Sequence, residues 1–270
     1  MGKVLKILGI VFLVIVVGFV GLLIWAQRKG SAEQEKFFKA VLSGEPKQVM
    51  DLLDPSVGDR VDEAVLAAWM SAVKEGLGEF KGLSKTNFNT SSETVNGVAV
   101  VESKGTVNLE KGEATSELVL HDGKIVRFFV ASEKVGTDWM KAPAIEALCR
   151  ERAEAFIRAF LEGRADDAYA RVHESIREQK SREEFGAMIE RVRANVGELQ
   201  SVEFDSIEYA GETGESFTLK TYHKVVCESD ATVAEVTFQF KDMAAHLSSF
   251  SFAPSRPGGA AETQPAGGQG

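Results

Sequence analysis

Apolar positions recur along this chain in three kinds of spacing, and each kind predicts a different element. From Ile7 to Ala26 every residue is uncharged and most are large and apolar (ILGIVFLVIVVGFVGLLIWA). Twenty residues at helical rise span roughly 30 Å, the thickness of a bilayer's hydrocarbon core. The run therefore predicts a membrane-spanning helix, with Trp25 at its end as an interfacial aromatic. Further on, apolar residues return every three or four positions, and later at every second position, so helices come first and strands follow.

The helical spacing is written twice. Phe37 to Gly44 reads FFKAVLSG, and Phe156 to Gly163, 119 residues later, reads FIRAFLEG. At that same offset, without a gap, identities fall at Ala40/Ala159, Leu42/Leu161, Ser56/Ser175, Ala68/Ala187, Val73/Val192, Gly78/Gly197 and Glu79/Glu198. Apolar residues match apolar ones between them, as at Leu66/Phe185 and Met70/Ile189. A fixed offset kept over about fifty residues marks an internal duplication, and a period this long means two homologous domains rather than a solenoid.

Each copy opens on a helix that stops at Gly44 or Gly163, where glycine suits a C-terminal cap. A short helix follows (Val49 to Leu53; Ala168 to Val172), then a third carrying Leu66, Met70, Val73 and Leu77, matched by Phe185, Ile189, Val192 and Val196. Beyond Gly78 the strand candidates are Val95 to Val101, Gly105 to Leu109, Glu117 to Leu120 and Ile125 to Val130. The Asp122-Gly123 pair between the last two signals a hairpin. Beyond Gly197 they are Val202 to Tyr209, Phe217 to Cys227, Ala234 to Phe240 and His246 to Phe252. Helices followed by an antiparallel meander predict an α+β domain with helices on one face of its sheet.

The organisation read from the chain is an anchor over 1–30, a first domain over 33–132, a linker over 133–142, a second domain over 143–253 and a tail over 254–270. Pro143 suits the first turn of the second domain's leading helix, whose Ile145, Leu148, Cys149, Phe156 and Phe160 share a face. The tail PSRPGGAAETQPAGGQG has no large apolar residue and is expected to be disordered.

Charge sharpens the picture. The formal net charge is −9, and residues 1–30 hold four basic residues and no acidic one, so the remainder is more acidic still. Phosphate binding needs a cationic face, which argues against nucleic acid as a partner. Lys3 and Lys6 before the apolar run favour a cytoplasmic N-terminus, placing the rest of a single-pass protein outside the cytoplasm. A cleaved signal peptide has a shorter apolar region, and Gly30-Ser31-Ala32 lies beyond Arg28-Lys29.

Searching for chemistry turns up little. The chain has no phosphate-binding loop, dinucleotide fingerprint, HExxH, CxxC or Gly-x-Ser-x-Gly motif. Of the four histidines, His121 falls in a hairpin turn, His246 opens the last strand, and His173 stands where the first copy has Asp54. His223 and Cys227 are the sharper pair, because residues four apart on a strand project from one face. They are about 13 Å apart by rise, too far for a nucleophile and its base, and zinc needs at least a third ligand. Trp69, Phe80, Phe88, Tyr169, Phe185 and Tyr222 are expected in the core or on a pocket wall, and Glu102, Glu203 and Asp205 lie in or near strands with their facing open.

The opening Phe-rich helix ending in Leu-x-Gly, the third helix ending in Gly-x-Phe/Leu, and the strand Gly123-Lys124-Ile125-Val126-Arg127-Phe128 resemble the nuclear transport factor two-like superfamily. Within it, the chain is similar to small membrane-anchored domains of the bacterial envelope. The resemblance covers residues 35–132 and 151–254. It implies two tandem cone-shaped domains, each about three helices packed on a curved antiparallel sheet with a concave pocket between, and an intramolecular pseudo-dimer of the copies.

The superfamily holds isomerases, dehydratases and hydrolases beside non-enzymatic carriers and partner-binding domains. Its isomerase-type members use a tyrosine donor, and the first copy has none. The expectation is a membrane-anchored, non-catalytic envelope protein that binds a protein partner or a small apolar or amphipathic ligand, with no catalytic, cofactor or metal residues assigned. The alternative is an enzyme active in the second copy, which alone holds Tyr169, Tyr209, Tyr222, His173, His223 and Cys227.

Overall fold

A computed structural model describes residues 30–136, 138–211, 217–241 and 243–254, without the side chains of 85, 86 and 254. The apolar run at 7–26 and nearly all of the 254–270 tail lie outside them. Among the described residues no helix is long and apolar enough to cross a membrane. The chain divides into two compact units, 1–145 with 242–244, and 146–241 with 245–270.

The first unit runs α1 (residues 30–43), α2 (Pro46–Met50), α3 (Pro55–Gly58), α4 (Glu63–Leu77), β1 (Phe80–Val95), β2 (Val98–Leu109), β3 (Gly112–His121) and β4 (Lys124–Ala131). After α5 (Pro143–Leu161), the chain continues through α6 (Ala165–Arg171), α7 (Glu174–Gln179) and α8 (Arg182–Val196). The second sheet comprises β5 (Leu199–Ala210), β6 (Thr218–Cys227), β7 (Ala231–Lys241) and β8 (Ala244–Pro254). Each sheet is a four-stranded meander in sequence order, so the class is α+β with two antiparallel sheets and helices.

Two expectations need correction. Each copy has four helices rather than about three, because a single turn (α3, α7) forms after the short second helix. Val95 to Val101 is not one strand: Asn96 (φ 52°) and Gly97 (φ 83°) turn the chain there, and Val95 pairs with Val98. A two-residue Asn-Gly hairpin with both φ positive matches the twist of the strands it joins. The segment before it, polar in composition, is strand β1, and the two candidates after it are one strand, β2.

The duplication holds in three dimensions at the sequence offset. Helix α4 and its counterpart α8 begin and end 119 positions apart, as do the starts of β1 and β5. In the first unit Asp54 N donates to Ile125 O at 2.8 Å, and in the second His173 N donates to Leu247 O at 2.8 Å. Gly78 (φ 71°) and Gly197 (φ 78°) close the long helices in a backbone region open to glycine. A Cβ at Gly197 would fall 2.9 Å from Glu228 Cβ, and Ser229 N donates to Val196 O beside it. Gly197→Ala is expected to cost about 1–3 kcal/mol in urea unfolding, and an unchanged midpoint would refute the backbone requirement.

The connection expected at 133–142 is folded onto the first unit. A 3-10 turn, Asp138–Lys141, buries Met140, and Val135 and Trp139 pack against the first core. Their apolar surface is withdrawn from water, which holds this connection against that core.

Candidate functional site

In each unit the space between helices and sheet is occupied by side chains. In the first, Phe37 meets Phe38 with ring centroids 5.6 Å apart and Phe128 at 5.3 Å, and Trp69 meets Phe128 at 5.8 Å. In the second, Phe156 lies 4.8 Å from Phe250, and Phe160 lies 4.9 Å from Phe252 and 6.0 Å from Phe185. Tilted and edge-on contacts at these distances are favourable aromatic packing. The rings pack against one another between helices and sheet.

A groove does open on the first unit, beside the aromatic core rather than within it. Its volume is about 390 Å³, and Val57, Arg60, Val61, Val126, Arg127, Phe128 and Met243 line it. Local chemistry builds both walls. Pro55 opens α3, and the Asp54 carboxylate accepts from Ser56 N at 2.9 Å and Ser56 Oγ at 2.6 Å. Those hydrogen bonds hold the Asp54 carboxyl below its ordinary value. The adjacent backbone bridge from Leu53 to Ile125 fixes α3 against β4.

The other wall depends on a bulge. Leu120 pairs with Ile125 and Val119 with Arg127, so Val126 is an extra residue in β4. The extra residue resets the alternation, and Phe128, three positions after Ile125, also turns inward to meet Phe37 and Trp69. Arg127 then stands on the outer side, donating to Glu117 at 2.6 Å, while Lys104 approaches the same carboxylate at 3.3 Å. Arg60 Nε donates to Ser56 O at 2.8 Å, a neutral partner that leaves its charge uncompensated.

The second unit holds the sharper sequence candidates, and they do not converge. His223 and Cys227 face inward together on β6, along with Thr221 and Val225, as their spacing requires. Burial lowers the His223 pKa and pushes the Cys227 thiol up, so the cysteine is a poor nucleophile. Both ring nitrogens of His223 are buried without a hydrogen-bond partner. Phe204 meets the imidazole edge-on at 5.8 Å, and the Arg150 guanidinium lies 5.5 Å from the Phe204 ring centroid. Cys149 and Cys227 are not joined in a disulfide.

The remaining candidates serve elsewhere. Tyr222 lies on the opposite face of β6, donating to Glu208 at 2.8 Å, and Tyr209 donates to Glu146; burial raises both phenols first, and these carboxylates add to it. Tyr169 donates to Lys180 O at 3.0 Å. His121 is exposed, as are Glu102, Glu203 and Asp205, and Asp205 pairs with Lys224 at 2.7 Å. Trp69 and Phe185 are core, and Phe80 and Phe88 are half-buried. Among the described residues no group of three His, Cys, Asp or Glu side chains could hold a metal ion.

His173 shows what residue identity conceals. It caps α7, its Nδ1 accepting from Ser175 N at 3.3 Å, just as Asp54 caps α3. The duplication kept the job and changed the residue. Sequence reading also missed a buried polar set in the first unit, in which Gln34 donates to Ser103 O at 3.0 Å and accepts from Ser116 Oγ at 2.8 Å. The matching helix position in the second unit is Ala153; counted four positions back from the strand partners of Phe80 and Leu199, which are Leu109 and Cys227, the inward position is Gly105 in the first unit and His223 in the second. One copy buries its polar side chain from the helix, satisfied; the other from the strand, unsatisfied. No protein-family model matches the chain, and no curated protein matches it.

Proposed function

We propose that this chain is a single-pass, membrane-anchored binding protein of the bacterial envelope without a reaction of its own. Ile7 to Ala26 would hold it in the cytoplasmic membrane, with tandem cone-shaped units of the nuclear transport factor two-like kind outside the cytoplasm. It engages a protein partner or a small apolar or amphipathic ligand. The observation that supports this reading is the packing of aromatic rings against one another in both interiors, between helix and sheet. Binding then falls to the surface, and the Val57–Val61 and Val126–Phe128 groove is the site with apolar floor and polar rim that ligand sites combine.

Native mass spectrometry of the full-length protein, gently extracted from its own host's membranes, tests it. The expected result is an additional mass, small molecule or protein, that Val61→Glu removes while circular dichroism stays unchanged. An unliganded wild type, or a mass that persists in Val61→Glu, would overturn the assignment to this groove.

A further inference from the structure

We infer that the groove's ligand is an anionic amphiphile, a single apolar chain ending in a carboxylate or phosphate-like head. The inference rests on the reading of the groove as the binding site. Val57, Val61, Val126, Phe128 and Met243 form an apolar floor, and the two charged residues among the described lining are both arginines. The two guanidiniums favour an anionic head over a cationic one at this surface.

Two other grooves of similar size on the first unit show the contrast. One, of about 470 Å³, mixes Glu35 with Lys36 and Lys39, and Lys39 is already paired with Glu35 at 2.7 Å. Another, of about 420 Å³, carries Glu113 and Glu133 and no cation. Among the described residues neither is lined by an arginine, whose planar fork binds a carboxylate or phosphate through two parallel donors.

The arginines differ in availability. Arg60 gives its Nε to a backbone carbonyl, so the outer face of its guanidinium fork is left for a bidentate anion. Its sequence neighbours Asp59 and Asp62 make no ion pair with it among the described residues. Arg127 shares Glu117 with Lys104, two cations to one carboxylate, so an incoming anion meets net positive charge there too. The head group would sit at Arg60 with Arg127 beside it, and the chain would lie over Val61, Val126 and Phe128.

The test uses the full-length protein in phosphatidylcholine nanodiscs, titrated calorimetrically with decanoate, decyltrimethylammonium and decyl maltoside, each below its micelle concentration. Arg60→Gln/Arg127→Gln and Val61→Glu variants carry the same disc, so partitioning into lipid cancels between them. Saturable decanoate binding is expected in the wild type, at least tenfold weaker in the double arginine variant, with no saturable binding of the cation. Equal binding of decanoate and decyl maltoside, lost in Val61→Glu but unchanged in the arginine variant, would overturn the anionic preference and leave the groove as the site. No saturable binding of any probe would overturn both.

Discussion

Phe156→Ala lowers the stability of the second unit by about 3–5 kcal/mol, the range for emptying a fully buried aromatic site. The Phe156 ring has no solvent exposure and touches Phe160 at 5.8 Å and Phe250 at 4.8 Å. Its neighbours cannot collapse into the gap, because Phe160 is itself held by Phe185 and Phe252. The duplication supplies an internal control: Phe37→Ala removes the equivalent ring, which meets Phe38 and Phe128, and is expected to cost the first unit a similar amount. Hydrogen exchange at β6 and β7 amides reports the second unit separately, and at β2 and β3 the first. A loss under about 1 kcal/mol in either would mean that the interior is not a packed core, and binding at the surface would lose its support.

His223→Phe raises stability at neutral pH by about 1–3 kcal/mol, the cost of leaving a buried polar group without partners. It also removes an acid sensitivity. Burial depresses the His223 pKa from its ordinary 6.5, so between that value and the lower folded one the unfolded chain holds a proton that the folded unit refuses. Stability from this residue is therefore complete above about pH 6.5 and declines as pH falls below it.

The groups around His223 agree with that sign. Helix α5 presents Arg150, which opposes protonation, and Glu154, which favours it but is engaged with Arg158 at 2.8 Å; β5 presents the Phe204 ring, and the register partner on β7 is Ala234. Unfolding free energies at pH 7.5 and 5.5 should differ more in wild type than in His223→Phe. Parallel losses in both proteins would show that the imidazole is not held neutral.

Much of the fold was legible because its signals are local. The caps at Gly44 and Gly163 act within one turn of helix, and the alternation that turned Thr221, His223, Val225 and Cys227 to one face is a property of the strand itself. Where local signals competed, reading failed. The Asn96-Gly97 turn hid between valines that look like one strand, and β1 is too polar to announce itself. His173 looked unlike Asp54 by residue type, yet a neutral imidazole nitrogen accepts from the helix start as a carboxylate does.

The sequence by itself determined that one helix-then-meander module was written twice and which faces of its helices are apolar, since periodicity, caps and a fixed offset need no distant partner. Only the tertiary structure brought the walls of the surface groove together. Arg60 and Arg127 lie 67 positions apart and line one groove, beside the Leu53–Ile125 bridge and the bulge at Val126. Whether the interiors hold a pocket or rings depended equally on how Phe37 meets Phe128 and Phe156 meets Phe250, contacts that long-range packing alone creates.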